Sequence, residues 1–264
     1  MRGILEKKQV EDFIHMVNID LTGKTALVTG GSQGLGKSIC RKLSEAGANI
    51  IVNYFDDAKG INKKQAEDTL LLLSTDAIAL AADVRDPLQI KDMINNGINE
   101  MGGLDIVVNN AGIVQDRTLL KMDYEQWHNV IDTNLNGVFN MCKESSPYLN
   151  TKGRIINISS ISAFIGLYGQ SNYAAAKAGL IGLTKVLCKE LAKLKITVNA
   201  IAPGVIKSEM SDTIPQEYMT DMCKKIPLKR IGDPEEVANL VLFLSSNLSN
   251  YITGQTIHIN GGWI

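Results

Sequence analysis

From Lys24 onward, short apolar runs alternate with segments whose apolar residues recur every three or four positions. Lys24–Thr29 is apolar and bounded by glycines, which predicts a buried strand. Lys37–Ala46 places Ile39, Cys40 and Leu43 at helical spacing, and Gly47 stops it. Asn49–Asn53 predicts a second strand, Lys63–Leu73 a second helix and Ala77–Ala82 a third strand, with a further helix opened by the Asp86-Pro87 cap. Leu104–Asn109 predicts a fourth strand, and the pattern returns at Arg154–Ser159, Ile196–Ile201 and Gln255–Ile259. Apolar helices are expected around Trp127–Glu144 and Tyr173–Leu191. Strands that are apolar on both faces and spaced by helices imply a parallel sheet covered on both sides. Seven of them, without a Pro/Gly/Ser-rich linker, predict a single doubly wound α/β domain over residues 21–264, although 264 residues would also suffice for two small domains.

Residues 1–20 are left as an N-terminal extension of unknown role. Ile4, Leu5, Val10, Phe13, Ile14 and Val17 would line one side of a short helix, and Met16 offers a second translation start. The segment lacks the apolar stretch of a secretory signal, and Glu6, Glu11 and Asp12 make it too acidic for a transit peptide.

Composition narrows the function classes. The formal net charge is −1 and no basic stripe is present, which argues against nucleic acid as a partner. With 45% hydrophobic and 21% charged residues the chain is not of the disordered type. The densest apolar run, Leu240–Leu244, is far below the roughly 18 residues a membrane span needs. Cys40, Cys142, Cys188 and Cys223 form no CxxC and, with three scattered histidines, no metal-ligand pattern. They read as buried free thiols in a reducing, cytoplasmic setting.

The chemistry begins in the turn Thr29-Gly-Gly-Ser-Gln-Gly-Leu-Gly36, between the first strand and its helix. Glycines there let backbone N–H groups approach a pyrophosphate, and the helix N-terminus adds partial positive charge. The spacing is Gly-x-x-x-Gly-x-Gly. It resembles the cofactor turn of the short-chain dehydrogenase/reductase family, and three further matches follow in the family's order. These are Asn109-Asn-Ala-Gly112, the set Ser160…Tyr173-x-x-x-Lys177, and Pro203-Gly204. The resemblance covers about residues 20–264 and implies a Rossmann-type seven-stranded domain. Within the family, the stretches Gly169–Gly182 and Thr253–Gly262 are most similar to 3-oxoacyl-[acyl-carrier-protein] reductases of fatty acid biosynthesis.

Tyr173 and Lys177 are four positions apart, so on a helix they share a face, and an adjacent ammonium favours a phenolate. The resemblance makes Tyr173 the general acid of carbonyl reduction or the general base of alcohol oxidation. It makes Lys177 a further holder of the nicotinamide ribose. Ser160 follows the strand ending at Ser159, at the carboxyl edge where ligands bind in open α/β sheets. Ser159 and Ser162 are neighbours, and the family spacing selects Ser160 to hold the substrate carbonyl oxygen. Asn134, in Thr133-Asn-Leu-Asn-Gly137, matches the family asparagine of a water relay to the lysine.

The resemblance further implies a cofactor surface of Gly30, Ser32, Gln33, Gly34, Leu35 and Gly36. Asn53 and Tyr54 belong to it from the tip of the second strand, Asp83 and Val84 at the adenine, and Asn109, Asn110, Ala111 and Gly112 along its length. Pro203, Gly204, Val205, Ile206 and Ser208 complete it, with Ser208 in place of the usual threonine near the carboxamide. No carboxylate stands at the tip Val52-Asn53-Tyr54; Asp56 and Asp57 come later, and Lys37 is the nearest cation. That favours NADP(H), with NAD(H) not excluded.

Substrate choice is expected in Glu209–Ile226, whose Met210, Met219 and Met222 suit an acyl chain or serve as plain packing. The partner would be a small ketone or an acyl thioester, with acyl carrier protein as a candidate. Two arginines that dock the carrier in the resembled reductases fall at Thr151 and Leu194, with Lys152, Lys193 and Lys195 beside them. The resemblance also implies a homotetramer, built through the two apolar helices and the last strand. A secondary-alcohol or sugar dehydrogenase, and an idle nucleotide-binding scaffold, stand as alternatives.

Overall fold

A computed structural model of the protein describes residues 18–208 and 216–264. The first turn, β1 (Thr25–Val28) to α1 (Gly34–Glu45), is followed by β2 (Asn49–Tyr54), α2 (Ile61–Leu70), β3 (Ala77–Ala81), α3 (Pro87–Met101) and β4 (Leu104–Asn109). Then α4 (Tyr124–Ile131) runs through a π-helical turn, Asp132–Asn136, into α5 (Gly137–Ser145), and β5 (Leu149–Ile158) follows. The second half ends with α6 (Ser171–Glu190), β6 (Thr197–Pro203), α7 (Gln216–Lys225), α8 (Pro234–Ser245) and β7 (Thr256–Ile259). All neighbouring strands pair in parallel, in the order β3-β2-β1-β4-β5-β6-β7. The expected seven-stranded, doubly wound α/β sheet is the fold observed.

The two-sided apolar character of the strands has a direct cause. Successive residues of β1 point to opposite faces. Ala26 and Val28 join Ile50, Val52, Ile106 and Val108 in a layer with Ile39 and Leu43 of α1 and Val237, Val241 and Leu244 of α8. Leu27, Ile51, Val107 and Ile155 face the other way, against Ile90 and Ile94 of α3, Met141 of α5 and Leu180 of α6. Each such side chain contributes roughly 1.5–3 kcal/mol when removed from water. The flanking strands differ: β3 is only half-buried, as is β7, because each has a strand neighbour on one side alone.

Several elements differ from the pattern-based reading; β5, for one, starts at Leu149 and not Arg154. Helix α1 starts at Gly34, not Lys37, because the glycine turn itself forms the first helical turn. The apolar stretch Trp127–Glu144 is not one regular helix but is interrupted by the π-turn. Helix α8 is an addition, announced by a capping box in which Asp233 and Glu236 exchange bonds. Ile19, assigned to the extension, packs against the first apolar layer. The apolar stripe of residues 1–17 and Met210 lie outside the described residues.

Candidate active site

Strand order reverses between β1 and β4, and the carboxyl ends of both strands border one crevice. On the β1 side the crevice is shaped by backbone. Gly30 adopts φ +61°, a left-handed conformation that L side chains rarely take, and a Cβ there would lie 3.1 Å from Ala111 Cα. A Cβ at Gly36 would collide with the Gly30 carbonyl oxygen and stand 2.7 Å from Asn110 Nδ2. Beneath the turn, a Cβ on Gly31 would meet Cys40 Sγ at 3.0 Å, so this buried thiol is part of the floor. Gln33 gives no side-chain cap to α1, and Ser32 is buried beneath the turn while Gln33 and Gly34 are exposed. A bare helix terminus behind a glycine cradle fits a pyrophosphate.

Neighbouring strands hold this turn in place. Asn53 is buried; its Oδ1 accepts from Gly30 N–H at 3.3 Å and its Nδ2 donates to Ala82 O at 3.1 Å. Thr29 Oγ1 accepts from the N–H groups of Asn110 and Ala111, both at 3.0 Å, and Asn110 Nδ2 donates to Thr29 O at 2.9 Å. Asn109 lies a layer deeper, donating to Asn157 Oδ1 at 2.8 Å. Tyr54 and Val84 are buried, whereas Asp83 receives a two-armed grip from Arg85, with Nη2 2.6 Å from Oδ2. Burial opposes the Asp83 carboxylate, but the Arg85 bonds hold it below its ordinary range. The Arg85 guanidinium also lies 5.9 Å from the Phe55 ring centroid, just past the end of β2. Asp57 is turned away onto the N–H groups of Lys59, Ile61 and Asn62.

The facing wall is made of side chains. Lys177 is buried on α6 and donates from Nζ to Ile158 O at 2.8 Å; the same Nζ lies 5.6 Å from the Tyr173 ring centroid. A Cβ on Gly112 would approach Asn134 Oδ1 at 3.2 Å and Lys177 Nζ at 3.5 Å, so the Gly112 loop meets both residues. Asn134, fully buried in the π-turn, clamps that loop by accepting from Ile113 N–H at 2.8 Å and donating to Ile113 O at 2.9 Å. Ser160 Oγ accepts from Ser162 N–H at 3.1 Å, while Ser159 turns inward to donate to Lys177 O at 2.8 Å. Gly204, Val205, Ile206 and Ser208 follow β6, which ends at Pro203, along the same edge, and Gly204 N–H donates to Ile259 O at 2.9 Å.

The electrostatics run against the simple expectation that the lysine depresses the phenol. Burial pushes Tyr173 up to about 12; the nearby Ser160 hydroxyl draws it down and the Asp116 charge adds to the rise. Burial brings Lys177 down to about 8. At neutral pH both therefore hold their protons, the state a proton donor requires.

Sequence reasoning missed the supports beneath this wall. Asn172, fully buried at the start of α6, donates to Gln115 O and Gln126 O, both at 3.1 Å, and accepts from Tyr173 N–H at 2.7 Å. Its position next to Tyr173 is the sole local signal. The lysines named for carrier docking lie elsewhere. Lys152 is near the start of β5, and Lys193 and Lys195 follow the end of α6, a helix of 20 residues spanning about 30 Å. Within one chain they stand at the sheet edge opposite Tyr173.

Comparison with known proteins adds three findings. A family model described as enoyl-(acyl carrier protein) reductase matches residues 30–264. The chain is 46% identical over 244 residues to a 3-oxoacyl-[acyl-carrier-protein] reductase FabG of Staphylococcus aureus, covering 90% of this chain and 97% of that one. It is 40% identical over 246 residues to the protein of that name from Vibrio cholerae, covering 92% and 98%. Among solved structures, a short-chain dehydrogenase/reductase from Brucella melitensis superposes with a TM-score of 0.88 at 29% identity, over 94% of this chain and 99% of the other. A dehydrogenase/reductase from Sinorhizobium meliloti gives 0.86 at 33%, over 93% and 97%. Among the described residues no helix is long and apolar enough to cross a membrane.

Proposed function

This chain belongs to the short-chain dehydrogenase/reductase family and is an oxidoreductase acting on CH–OH and C=O groups, and from that premise we propose that it reduces a 3-oxoacyl thioester to the 3-hydroxyacyl form with NADPH. The observation that carries the mechanism is the meeting of Ser160, Tyr173 and Lys177 across a crevice from the glycine cradle of β1–α1. The thioester class rests on the relatives, which are named 3-oxoacyl-[acyl-carrier-protein] reductases. Bound in the crevice, a nicotinamide dinucleotide supplies a hydride.

The protein's own residues supply the rest. Gly30, Gly34 and Gly36 keep the turn bare so that backbone N–H groups reach the pyrophosphate. Ser160 donates a hydrogen bond to the substrate carbonyl oxygen, and Tyr173 transfers its proton to that oxygen as the carbon is reduced. Lys177 stands beneath the phenol and near Gly112, where its charge stabilises the phenolate left behind and its ammonium binds the cofactor ribose. NADP(H) is favoured because the last residues of β2, Asn53 and Tyr54, carry no carboxylate. Asp57 is spent on the start of α2, and the nearest charge over Phe55 is the Arg85 guanidinium. Carrier docking through Lys152, Lys193 and Lys195 would require a second subunit, since Lys193 and Lys195 follow the far end of α6, about 30 Å from its start, and Lys152 lies near the start of β5, at the opposite sheet edge from Tyr173. We place such a subunit against the exposed side of α4–α6 and of β7, as in a homotetramer.

One experiment tests the reading. Acetoacetyl-CoA is offered with NADPH or NADH, and nicotinamide absorbance is followed, with crotonyl-CoA as the enoyl substrate that the family description suggests. Faster turnover of acetoacetyl-CoA with NADPH is expected. Turnover of crotonyl-CoA alone would replace the ketone by the enoyl group, and a clear preference for NADH would reverse the cofactor assignment.

A further inference from the structure

The loop after β4 carries Asp116 and the loop before α6 carries Gln170, and neither has yet been given a part in the chemistry. Their backbones are stitched together: Arg117 N–H donates to Gly169 O at 2.9 Å, and Arg117 and Gln170 form an isolated parallel bridge. The side chains continue the connection toward the reaction centre. Gln170 Nε2 donates to Asp116 Oδ2 at 2.9 Å, the Ser162 hydroxyl donates to Gln170 Oε1 at 2.8 Å, and Ser162 N–H donates to Ser160 Oγ at 3.1 Å.

The direction of this chain follows from what each group can do. An ionised carboxylate only accepts, so Asp116 selects the NH2 end of the Gln170 amide. The Gln170 oxygen is then left to accept, and it takes the proton of buried Ser162. The side chain of Ser162 is thereby anchored, and the backbone N–H of the same residue donates to Ser160 Oγ. That bond occupies one acceptor site of Ser160 and leaves its hydroxyl proton to be given to the Tyr173 oxygen or to a substrate carbonyl.

We propose that Asp116 and Gln170 are positioning residues that hold Ser160 as a hydrogen-bond donor to the substrate carbonyl oxygen. The inference rests on the carbonyl-reduction reading above. Asp116 has a second, compatible effect. The groups around the phenol are Lys177 on the same helix, Ser160 after β5 and Asp116 on the loop after β4; the Arg117 guanidinium is exposed and turned to Asp116 O. The Asp116 charge disfavours the phenolate and keeps the proton on Tyr173.

The test is a double-mutant cycle on the full-length enzyme with acetoacetyl-CoA and NADPH. Thermal midpoints and cofactor affinity confirm that each variant is folded. Ser160→Ala is expected to lower kcat by about 10²-fold or more, the effect of losing one donor at a developing oxyanion. Gln170→Ala should lower kcat about tenfold, the order of one hydrogen bond, with the KM for NADPH unchanged. The double variant should be no slower than Ser160→Ala, because Gln170 acts through Ser160. If Gln170→Ala leaves kcat intact, or costs the same factor again without Ser160, the proposal is overturned.

A wild-type protein that leaves acetoacetyl-CoA untouched would instead defeat the reductase reading. The arrangement is then read from the Tyr173 titration, by difference absorbance against Tyr173→Phe. In Asp116→Asn the titration should move to lower pH, and an unmoved titration overturns the placement of Asp116.

Discussion

The β1–α1 side of the crevice is shaped by missing side chains, and the β5–α6 side by buried ones. At Gly30 and Gly36 an added methyl group would strike backbone, so the surface on this side is backbone rather than side chain. On the other side Asn134, Asn172 and Lys177 are all but sealed from solvent, and each is satisfied by a backbone carbonyl or amide of a neighbouring loop or strand. The first side is built to receive a fixed, charged group with little rearrangement. The second keeps polar side chains in a low-dielectric setting, where burial raises Tyr173 to about 12 and lowers Lys177 to about 8.

This difference can be broken experimentally. The largest effect is expected from Tyr173→Phe, which should cut kcat by about 10²–10⁴-fold, the usual contribution of a positioned proton donor. Dinucleotide affinity, measured by fluorescence, should stay within about twofold, because the shape of the glycine cradle does not depend on the phenol. A comparable loss of affinity would show that the two sides are not separable. Gly36→Ala should do the converse. Its Cβ collides with Gly30, so dinucleotide affinity should fall about tenfold or more, with a stability loss of roughly 1–3 kcal/mol by denaturant titration.

Lys177→Met sharpens the comparison by setting stability against activity. The folded-state value of Lys177, about 8, lies below its ordinary 10.5, so the unfolded chain binds more protons between those values and stability rises with pH there. Below about 8 the buried charge is a burden on the fold. The variant should therefore lose activity yet melt higher than the parent at pH 7, partly offset by the unbonded Ile158 carbonyl, and the difference should shrink as pH rises toward 10.5. The pH dependence of turnover offers a milder test. Carbonyl reduction should be flat below pH 8 and decline above it as Lys177 loses its proton, while alcohol oxidation should gain with rising pH. The smallest effect belongs to Lys42→Gln, which removes the 2.8 Å pair with Glu235 between α1 and α8. A change below about 1 kcal/mol is expected in chemical denaturation, because apolar packing rather than this surface pair holds α1 behind the cradle.

The order of strands was legible because each is a short apolar run bounded by turn residues, and parallel pairing follows from the helices between them. The glycine turn was legible for a related reason: its requirement is local, one residue type at each of a few adjacent positions. Less visible were features that depend on partners far along the chain. Nothing in Trp127–Glu144 announces a π-turn, because the turn serves Asn134 in clamping Ile113, 21 residues away. Asn172 and Gln170 are ordinary amides in sequence, and they acquire meaning only when the loops after β4 and before α6 come together. Helix α8 could have been found from Asp233-Pro234-Glu235-Glu236, a capping box followed by an apolar run.

The parallel sheet, the phosphate-compatible turn, and the tyrosine and lysine on one helix face could all be read from the chain alone. These depend on periodicity and spacing, which are written residue by residue. Packing set the rest: Lys177 is desolvated to about 8, Tyr173 rises to about 12, and Asp116 is bonded to Gln170. Those outcomes depend on how much water is excluded and which charges converge, and neither quantity exists until distant segments have packed.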